Sequence, residues 1–297
     1  MCGIVGFLAK RPELRDQLGA YTSPMLDAMA TRGPDSAGFA VFGEAQDELW
    51  RINLFALTPD YDWRPLTDAL AHAEGPSGEV RSLGRHGILV TPDPPARART
   101  WLHHHHPELV ELSTGRAMDV FKDVGHPRAV AEQYGLEAMQ GTHAVAHTRM
   151  ATESAVTPLH AHPFVAGDDF CLVHNGSLSN PNSLRRKLER KGVGFLTDND
   201  TEAAARLIQW RLSEGDDLHA ALEYGFGEMD GFYTLLMAND HELALVRDSF
   251  ACKPAVAAET DDYVAVASEF HSLARLPGIA DAEIFEPAPE EIYVWQV

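Results

Sequence analysis

Basic residues are scarce in this chain of 297 residues: 24 Lys and Arg stand against 44 Asp and Glu, a formal net charge of −20 with histidines neutral. Affinity for phosphate backbones comes mainly from clustered Lys and Arg. The longest basic patch, Arg185, Arg186, Lys187, Arg190 and Lys191, reads as a solvated helix face, which argues against a nucleic-acid partner. Long apolar runs are missing as well. No stretch reaches the roughly 18–20 apolar residues of a membrane span, and Met1-Cys2-Gly3-Ile4-Val5-Gly6-Phe7 lacks the basic region and extended apolar core of a signal peptide. The expectation is a cytoplasmic protein with no membrane contact. Cysteine is equally sparse: Cys2, Cys171 and Cys252 are odd in number, far apart and without a CxxC pair, against a disulfide framework, a thiolate zinc site or an iron–sulfur cluster. With no GxGxxG fingerprint either, no cofactor is assigned to this chain.

What is present is ordinary globular composition, 45% hydrophobic and 23% charged, with apolar residues in short period-2 runs. Strands are expected at residues 3–9, 37–42, 48–53, 143–148, 170–174, 232–238, 242–247 and 263–268. The pair 232–238 and 242–247 flanks Asn239-Asp240-His241, a turn-forming tripeptide, and reads as a hairpin. Helices are expected at 24–31, at 181–191 behind Asn180 as N-cap, and at 201–213 with Asp200 as candidate N-cap. Strand groups interrupted by helix pairs suggest a layered α+β domain dominated by antiparallel sheet.

The stretch from about 51 to 137 differs in texture, with Pro59, Pro65, Pro76, Pro92, Pro94, Pro95, Pro107 and Pro127 and four consecutive histidines, His103 to His106. Its weak apolar periodicity reads as an elaborated lobe or insertion. Histidine-rich tracts bind metals adventitiously, but consecutive side chains converge poorly on one ion, and no metal site is assigned there.

The first chemically informative residue is Cys2. Removal of Met1 would leave a cysteine bearing both a thiol and a free α-amine, whose pKa near ~7.7–8.0 lets it act as base for its own side chain. The alternative is a small apolar residue at the start of a strand. Arg32-Gly33-Pro34-Asp35-Ser36-Ala37-Gly38 follows a short helix and opens a strand, and His147-Thr148-Arg149-Met150-Ala151-Thr152 ends another. In Leu172-Val173-His174-Asn175-Gly176 a strand runs into Asn-Gly, whose side-chain amide and backbone N–H could face one oxygen, as an oxyanion hole requires; a common turn is the other reading. Thr197-Asp198-Asn199-Asp200-Thr201-Glu202 introduces a helix. A Cys171–His174 catalytic pair is unfavourable, because residues three apart in a strand point to opposite faces. His143 and His147, with their i, i+4 spacing, fall in a strand and are not read as a metal pair.

Taken in order, Met-Cys-Gly-Ile-Val-Gly at residues 1–6, Arg-Gly-Pro-Asp-Ser-Ala-Gly at 32–38, His-Thr-Arg-x-Ala-Thr at 147–152, His-Asn-Gly at 174–176 and Asp-Thr-Glu at 200–202 resemble the class II glutamine amidotransferases, an N-terminal nucleophile hydrolase family. The resemblance implies a four-layer αββα sandwich of antiparallel sheets, and a single domain over 1–297 enlarged by the 51–137 lobe. It implies Cys2 as nucleophile towards the glutamine side-chain amide, Asn175 and Gly176 as oxyanion donors, Arg149 for the substrate α-carboxylate and Asp200 for its α-ammonium. Thr152 would assist from the Arg149 loop, and Arg32 would order the site.

Three further stretches, 149–157, Phe250-Ala251-Cys252-Lys253-Pro254-Ala255 and Ser268-Glu269-Phe270-His271-Ser272-Leu273-Ala274, are similar to the stand-alone subunits related to the first domain of glutamate synthase, including GlxB-type proteins and the A subunit of N-methylglutamate synthase. Purine and glucosamine-phosphate enzymes match less well there. The resemblance implies glutamine as substrate and, as the chain ends at Val297 without a synthase domain, ammonia passed to separate synthase subunits carrying FMN and an iron–sulfur cluster, in a hetero-oligomer. Two alternatives remain open at this point: a silent regulatory or interaction subunit of such a complex, and an N-terminal nucleophile hydrolase acting on another amide.

Overall fold

The computed structural model describes residues 2–72, 74–150 and 155–297. Two antiparallel sheets lie face to face. The larger has seven strands in the spatial order Glu283–Phe285, Val256–Glu259, Tyr263–Ala267, Gly3–Ala9, His143–Arg149, Ser36–Phe42, Met118–Val124. The second has five, in the order Ile292–Gln296, Glu242–Arg247, Gly231–Ala238, Cys171–Leu178, Phe164–Val165.

Alternation along the strands builds the layers. In Gly3–Ala9, Ile4 and Leu8 face the other sheet and meet Val173, Leu236, Leu243 and Leu245 in the inter-sheet core. Val5, Phe7 and Ala9 face outward, onto Leu18, Met25 and Leu26 of the helix Leu18–Ala28. The second sheet does the same in mirror order: Cys171 and Val173 point inward, while Leu172, Leu235 and Met237 pack under the helices Pro181–Glu189, Asp200–Ser213 and Leu218–Glu228. The result is the expected αββα sandwich. The expected hairpin is present too, with Asn239 Oδ1 accepting from the backbone N–H groups of His241 and Glu242 at 2.9 and 2.8 Å.

A third sheet of four strands, Glu79–Leu83, His86–Thr91, Trp50–Ala56 and Leu109–Gly115 in spatial order, occupies most of the stretch expected as a lobe. With the helices Arg64–Ala71 and Pro95–His105 it encloses its own apolar cluster of Ile52, Leu54, Trp63, Leu66, Leu89 and Leu102. Its other face is not separate: Ile88 and Val90 belong to the core under the seven-stranded sheet. Residues 118–133 leave it altogether, as the edge strand Met118–Val124 and the helix Pro127–Gln133.

Two buried polar side chains fasten this sheet. Asn53 donates to Met118 O and accepts from Val120 N–H, at 2.9 and 3.0 Å. Asp169, on the turn entering Cys171–Leu178, accepts from the backbone N–H groups of Arg116, Ala117 and Met118 at 2.5, 3.0 and 2.9 Å. Hydrogen bonds to a charged acceptor contribute about 1.5–3 kcal/mol each, and stranded donors add a desolvation penalty. Asp169→Ala should therefore lower the unfolding free energy in urea by about 3 kcal/mol or more, with Asp169→Asn intermediate; an unchanged urea midpoint would show that this tie contributes nothing.

Candidate active site

The central pairing brings the first residues of the chain to the end of the strand that carries Arg149. Gly3 lies opposite Thr148, so Cys2 emerges beside Arg149. Ser36 pairs with Arg149 from the other side, and Asp35 N–H donates to Arg149 O at 3.0 Å. The loop can come this close only because residue 33 is glycine: a Cβ there would sit 2.6 Å from the Arg149 backbone. Arg32 is buried, donates from Nε to Cys2 O at 2.7 Å and pairs with Glu269. It thus holds the backbone of Cys2.

From the second sheet come Asn175 and Gly176. They are not a turn, as the dipeptide alone would suggest, but lie inside the strand Cys171–Leu178, opposite Thr234 and Tyr233. Gly176 has φ +150°, and a Cβ on it would meet Phe232 O at 1.9 Å. Asn175 is 3% exposed, and its Nδ2 has no hydrogen-bond partner among the described residues. Asp200 opens the helix Asp200–Ser213. It is not the N-cap: Asn199 takes that place, its Oδ1 accepting from Thr201 N–H at 2.8 Å, and this frees Asp200 to accept from Leu178 N–H at 2.9 Å. Asn180 does not cap its helix by side chain either; it binds Glu228 O and Asp230 N–H.

These elements surround a cavity of about 290 Å³ lined by Cys2, Arg149, Met150, His162, His174, Gly176, Ser177, Leu178, Pro181, Asp198, Asn199, Asp200 and Thr201. Of the sequence-predicted residues, Cys2, Arg149, Gly176 and Asp200 meet in its wall, Asn175 adjoins it through Gly176, and Arg32 stands behind Cys2. Met1 and Thr152 lie outside the described residues. Burial pushes the Cys2 thiol up, opposed by a hydrogen bond from the Met150 backbone and by the charges of Arg149 and Arg32. Burial pushes the Arg149 guanidinium down, opposed by the negative charges of Cys2, Asp35 and Asp200. Cys171 faces the inter-sheet core and His174 the helix layer, the opposite sides that strand geometry requires. Of the histidine run, His103, His104 and His105 are exposed at the end of their helix, and His106 is bonded to Tyr61.

A model of the glutamine amidotransferase domain matches residues 147–275. The glutamine amidotransferase-like protein GlxB of Rhizobium meliloti (strain 1021) is 43% identical over 296 residues, covering 99% of this chain and 98% of its own. The chain belongs to the glutamine amidotransferase family. A second relative of this amidotransferase, from Methanothermobacter thermautotrophicus and also named for that activity, is 33% identical and covers 99% of both chains. Among solved structures, the amidotransferase fold is shared with glutamine phosphoribosylpyrophosphate amidotransferase from B. subtilis complexed with ADP and GMP (TM-score 0.63, 19% identity, 99% of this chain and 47% of that one). It is also shared with an allosteric regulatory enzyme of purine biosynthesis (TM-score 0.65, 18% identity, 99% and 46%). The chain spans about half the length of those two structures. The fold is thus that of the class II, N-terminal nucleophile enzymes. No helix among the described residues is long and apolar enough to cross a membrane.

Sequence reasoning missed the convergence of three histidines at the cavity, two of which, His162 and His174, stand in its wall. His147, His162 and His174 are all buried; the rings of His147 and His162 stack at 3.9 Å, and His162 Nε2 and His174 Nδ1 each lie 3.0 Å from Thr201 Oγ1. Two of them sit in motifs already singled out, but nothing in the sequence marks His162 as their neighbour. Burial pushes His147 and, elsewhere in the core, His143 down to about 3 and His86 to about 4. These values lie below the unfolded value of about 6.5, so the unfolded chain takes up protons that the folded chain refuses. The stability this gives is complete above about pH 6.5 and is lost as pH falls towards 4 and 3. At pH 5.5 each such histidine should cost about 1.4 kcal/mol relative to neutral pH. Urea midpoints compared at pH 7.5 and 5.5 check this, and equal midpoints would refute it.

Proposed function

We propose that this amidotransferase hydrolyses the side-chain amide of glutamine at the Cys2 cavity and delivers the ammonia to a separate synthase subunit. The observation that carries the first half is Asn175 Nδ2. A buried amide N–H without a partner costs about 1–3 kcal/mol, and a catalytic role is one of the explanations such a group calls for. The next residue, Gly176, lines a cavity whose wall also holds a thiol, a guanidinium and a carboxylate, the complement of an amide, an α-carboxylate and an α-ammonium.

In the proposed reaction Met1 is removed, and the α-amine of Cys2 takes the thiol proton. Cys2 Sγ then bonds to the amide carbon, and Asn175 Nδ2 and Gly176 N–H hold the oxyanion. The C–N bond breaks as the amine returns the proton to the leaving nitrogen, giving ammonia and a γ-glutamyl thioester, which water hydrolyses to glutamate. Arg149 offers the substrate carboxylate a planar two-pronged donor, Asp200 takes the ammonium, and Arg32 fixes the Cys2 backbone. Residues 1–297 form one amidotransferase domain on this reading, with the third sheet as its elaboration. Thr152 is proposed to assist from the loop after Arg149.

The second half rests on length. Both relatives are matched over 98–99% of their own chains, whereas the two solved structures that share the fold contain as much chain again. In both relatives the match takes up nearly the whole chain, which supports the reading that the acceptor chemistry belongs to another polypeptide. Following the likeness to glutamate-synthase-type subunits, that partner carries FMN and an iron–sulfur cluster and consumes ammonia, within a hetero-oligomer.

Intact mass and peptide mapping after treatment with a glutamine-mimicking diazo-ketone should find Cys2 as the mature N-terminus and as the labelled residue; retention of Met1, or label on another residue, would sink the mechanism. Cys2→Ala should lower glutamine hydrolysis about 10³-fold or more and leave ammonia-dependent synthesis by the co-purified complex intact. Equal loss of both would make the cysteine structural. Asn175→Ala should lower kcat about 10²–10³-fold with little change in KM, and an unaltered kcat would remove Asn175 from the oxyanion site.

A further inference from the structure

Thr201 is 1% exposed, and its single hydroxyl stands at the centre of three groups. Oγ1 lies 3.0 Å from His162 Nε2, 3.0 Å from His174 Nδ1 and 3.3 Å from Asp200 Oδ1. Protons can be counted around it. A hydroxyl has one hydrogen to give and two lone pairs to receive, and an ionised carboxylate only accepts. If Thr201 donates to Asp200, both facing imidazole nitrogens must carry hydrogens and donate to Thr201.

The rest of the cluster agrees with that assignment. Burial pushes all three histidines down, so each is neutral with one N–H. His147 Nε2 lies 2.9 Å from the carbonyl of His174, which can only accept, so the hydrogen of His147 is on Nε2. With His162 protonated on Nε2 and His174 on Nδ1, the nitrogens left over are His147 Nδ1, His162 Nδ1 and His174 Nε2. Those three are the ring nitrogens of the cluster that lack a partner among the described residues. Every N–H is thereby used and only bare lone pairs are orphaned, the cheaper of the two outcomes, since orphaned buried N–H groups are the rarer.

We infer that Thr201, held by His162 and His174, is a positioning residue that orients the Asp200 carboxylate for the substrate α-ammonium and so sets the preference for an α-amino acid amide. The Leu178 N–H fixes one carboxylate oxygen at 2.9 Å and the Thr201 hydroxyl fixes the other. Two donors entering the hydroxyl polarise it towards Asp200. This inference rests on the proposed hydrolysis of glutamine at the cavity.

Thr201→Val keeps the branched shape and deletes the hydroxyl. With glutamine, KM should rise about tenfold while kcat stays within about threefold, and Thr201→Ser should bring KM back to within about twofold of the parent. With glutaramate, which is glutamine without its α-amino group, the parent and Thr201→Val should have the same kcat/KM within about twofold. An unchanged KM for glutamine, or an equal loss on both substrates, overturns the inference. Should Thr201→Val fail to fold, His162→Phe keeps a ring stacked on His147 and removes one donor, and the same glutamine-specific rise in KM should be about threefold; no rise refutes the inference. If the parent protein itself shows no Cys2-dependent glutamine hydrolysis, it is the functional reading that fails, whereas an active parent with an indifferent Thr201 rejects only the positioning role.

Discussion

The register between Gly3–Ala9 and His143–Arg149 is the constraint on which the site depends. Because Gly3 faces Thr148, Cys2 is delivered beside Arg149 at the end of the sheet, without a loop that would have to be ordered separately. A slip of one residue would turn Ile4 and Leu8 out of the inter-sheet core and Val5 and Phe7 into it. The apolar alternation that builds the sandwich therefore also fixes the position of the thiol. Ser36–Phe42 adds a second lock from the other side of Arg149, and the absence of a side chain at Gly33 allows its loop to close over that residue.

The second sheet contributes by a different principle. Its strand Cys171–Leu178 must carry a polar segment, His174-Asn175-Gly176, through a largely buried region. Such groups are tolerated when their hydrogen bonds are accounted for. Here the single N–H of the neutral His174 ring is used by Thr201, leaving only a bare lone pair on Nε2, whereas an N–H donor remains open at Asn175 Nδ2. On the proposed reading that contrast separates groups that build the site from a group waiting for a ligand.

The sequence showed most clearly what repeats with period two. Seven strands of the central sandwich and the 239–241 hairpin were legible as short apolar runs, whereas Phe164–Val165, Met118–Val124, Val256–Glu259, Glu283–Phe285 and Ile292–Gln296 were not expected; the helices at 181–189 and 200–213 were legible because turn and capping residues precede them. Of the third sheet only Trp50–Ala56 was, expected at 48–53. Glu79–Leu83 is a mostly exposed edge strand without an apolar face, and prolines crowd the neighbouring segments. The helix Leu218–Glu228 carries two glycines, at 225 and 227, which weaken a helical reading that Asp217, as a bonded N-cap, restores. Asn175-Gly176 was ambiguous because local preference for a turn is overridden by pairing with Gly231–Ala238, a partner some 60 residues away. Asp200 and Asn199 are adjacent, and only the geometry of the helix start distinguishes the cap from the residue left to face the cavity. The histidine cluster was illegible for a stronger reason: its members come from two sheets and a connecting segment, and no local signal reports their convergence.

Acidic character at large scale and the chemistry of the cavity are separate matters. A net charge of −20 acts weakly on a zwitterion such as glutamine, whose charges sum to zero, and exposed charges beyond a Debye length of about 8–10 Å are screened. On the proposed reading, what discriminates is the presence of Arg149 and Asp200 in one cavity wall, and for that the neighbouring histidines have to stay uncharged. A cationic His174, 3.8 Å from Asp200 Oδ1, would occupy the carboxylate that the proposed substrate ammonium needs. Burial prevents this by holding His174 below its ordinary pKa, even against the pull of Asp200 in the other direction. On that reading the cost of burying three imidazoles serves to keep one carboxylate available, and the acid sensitivity of the fold and the selectivity of the site have the same physical origin.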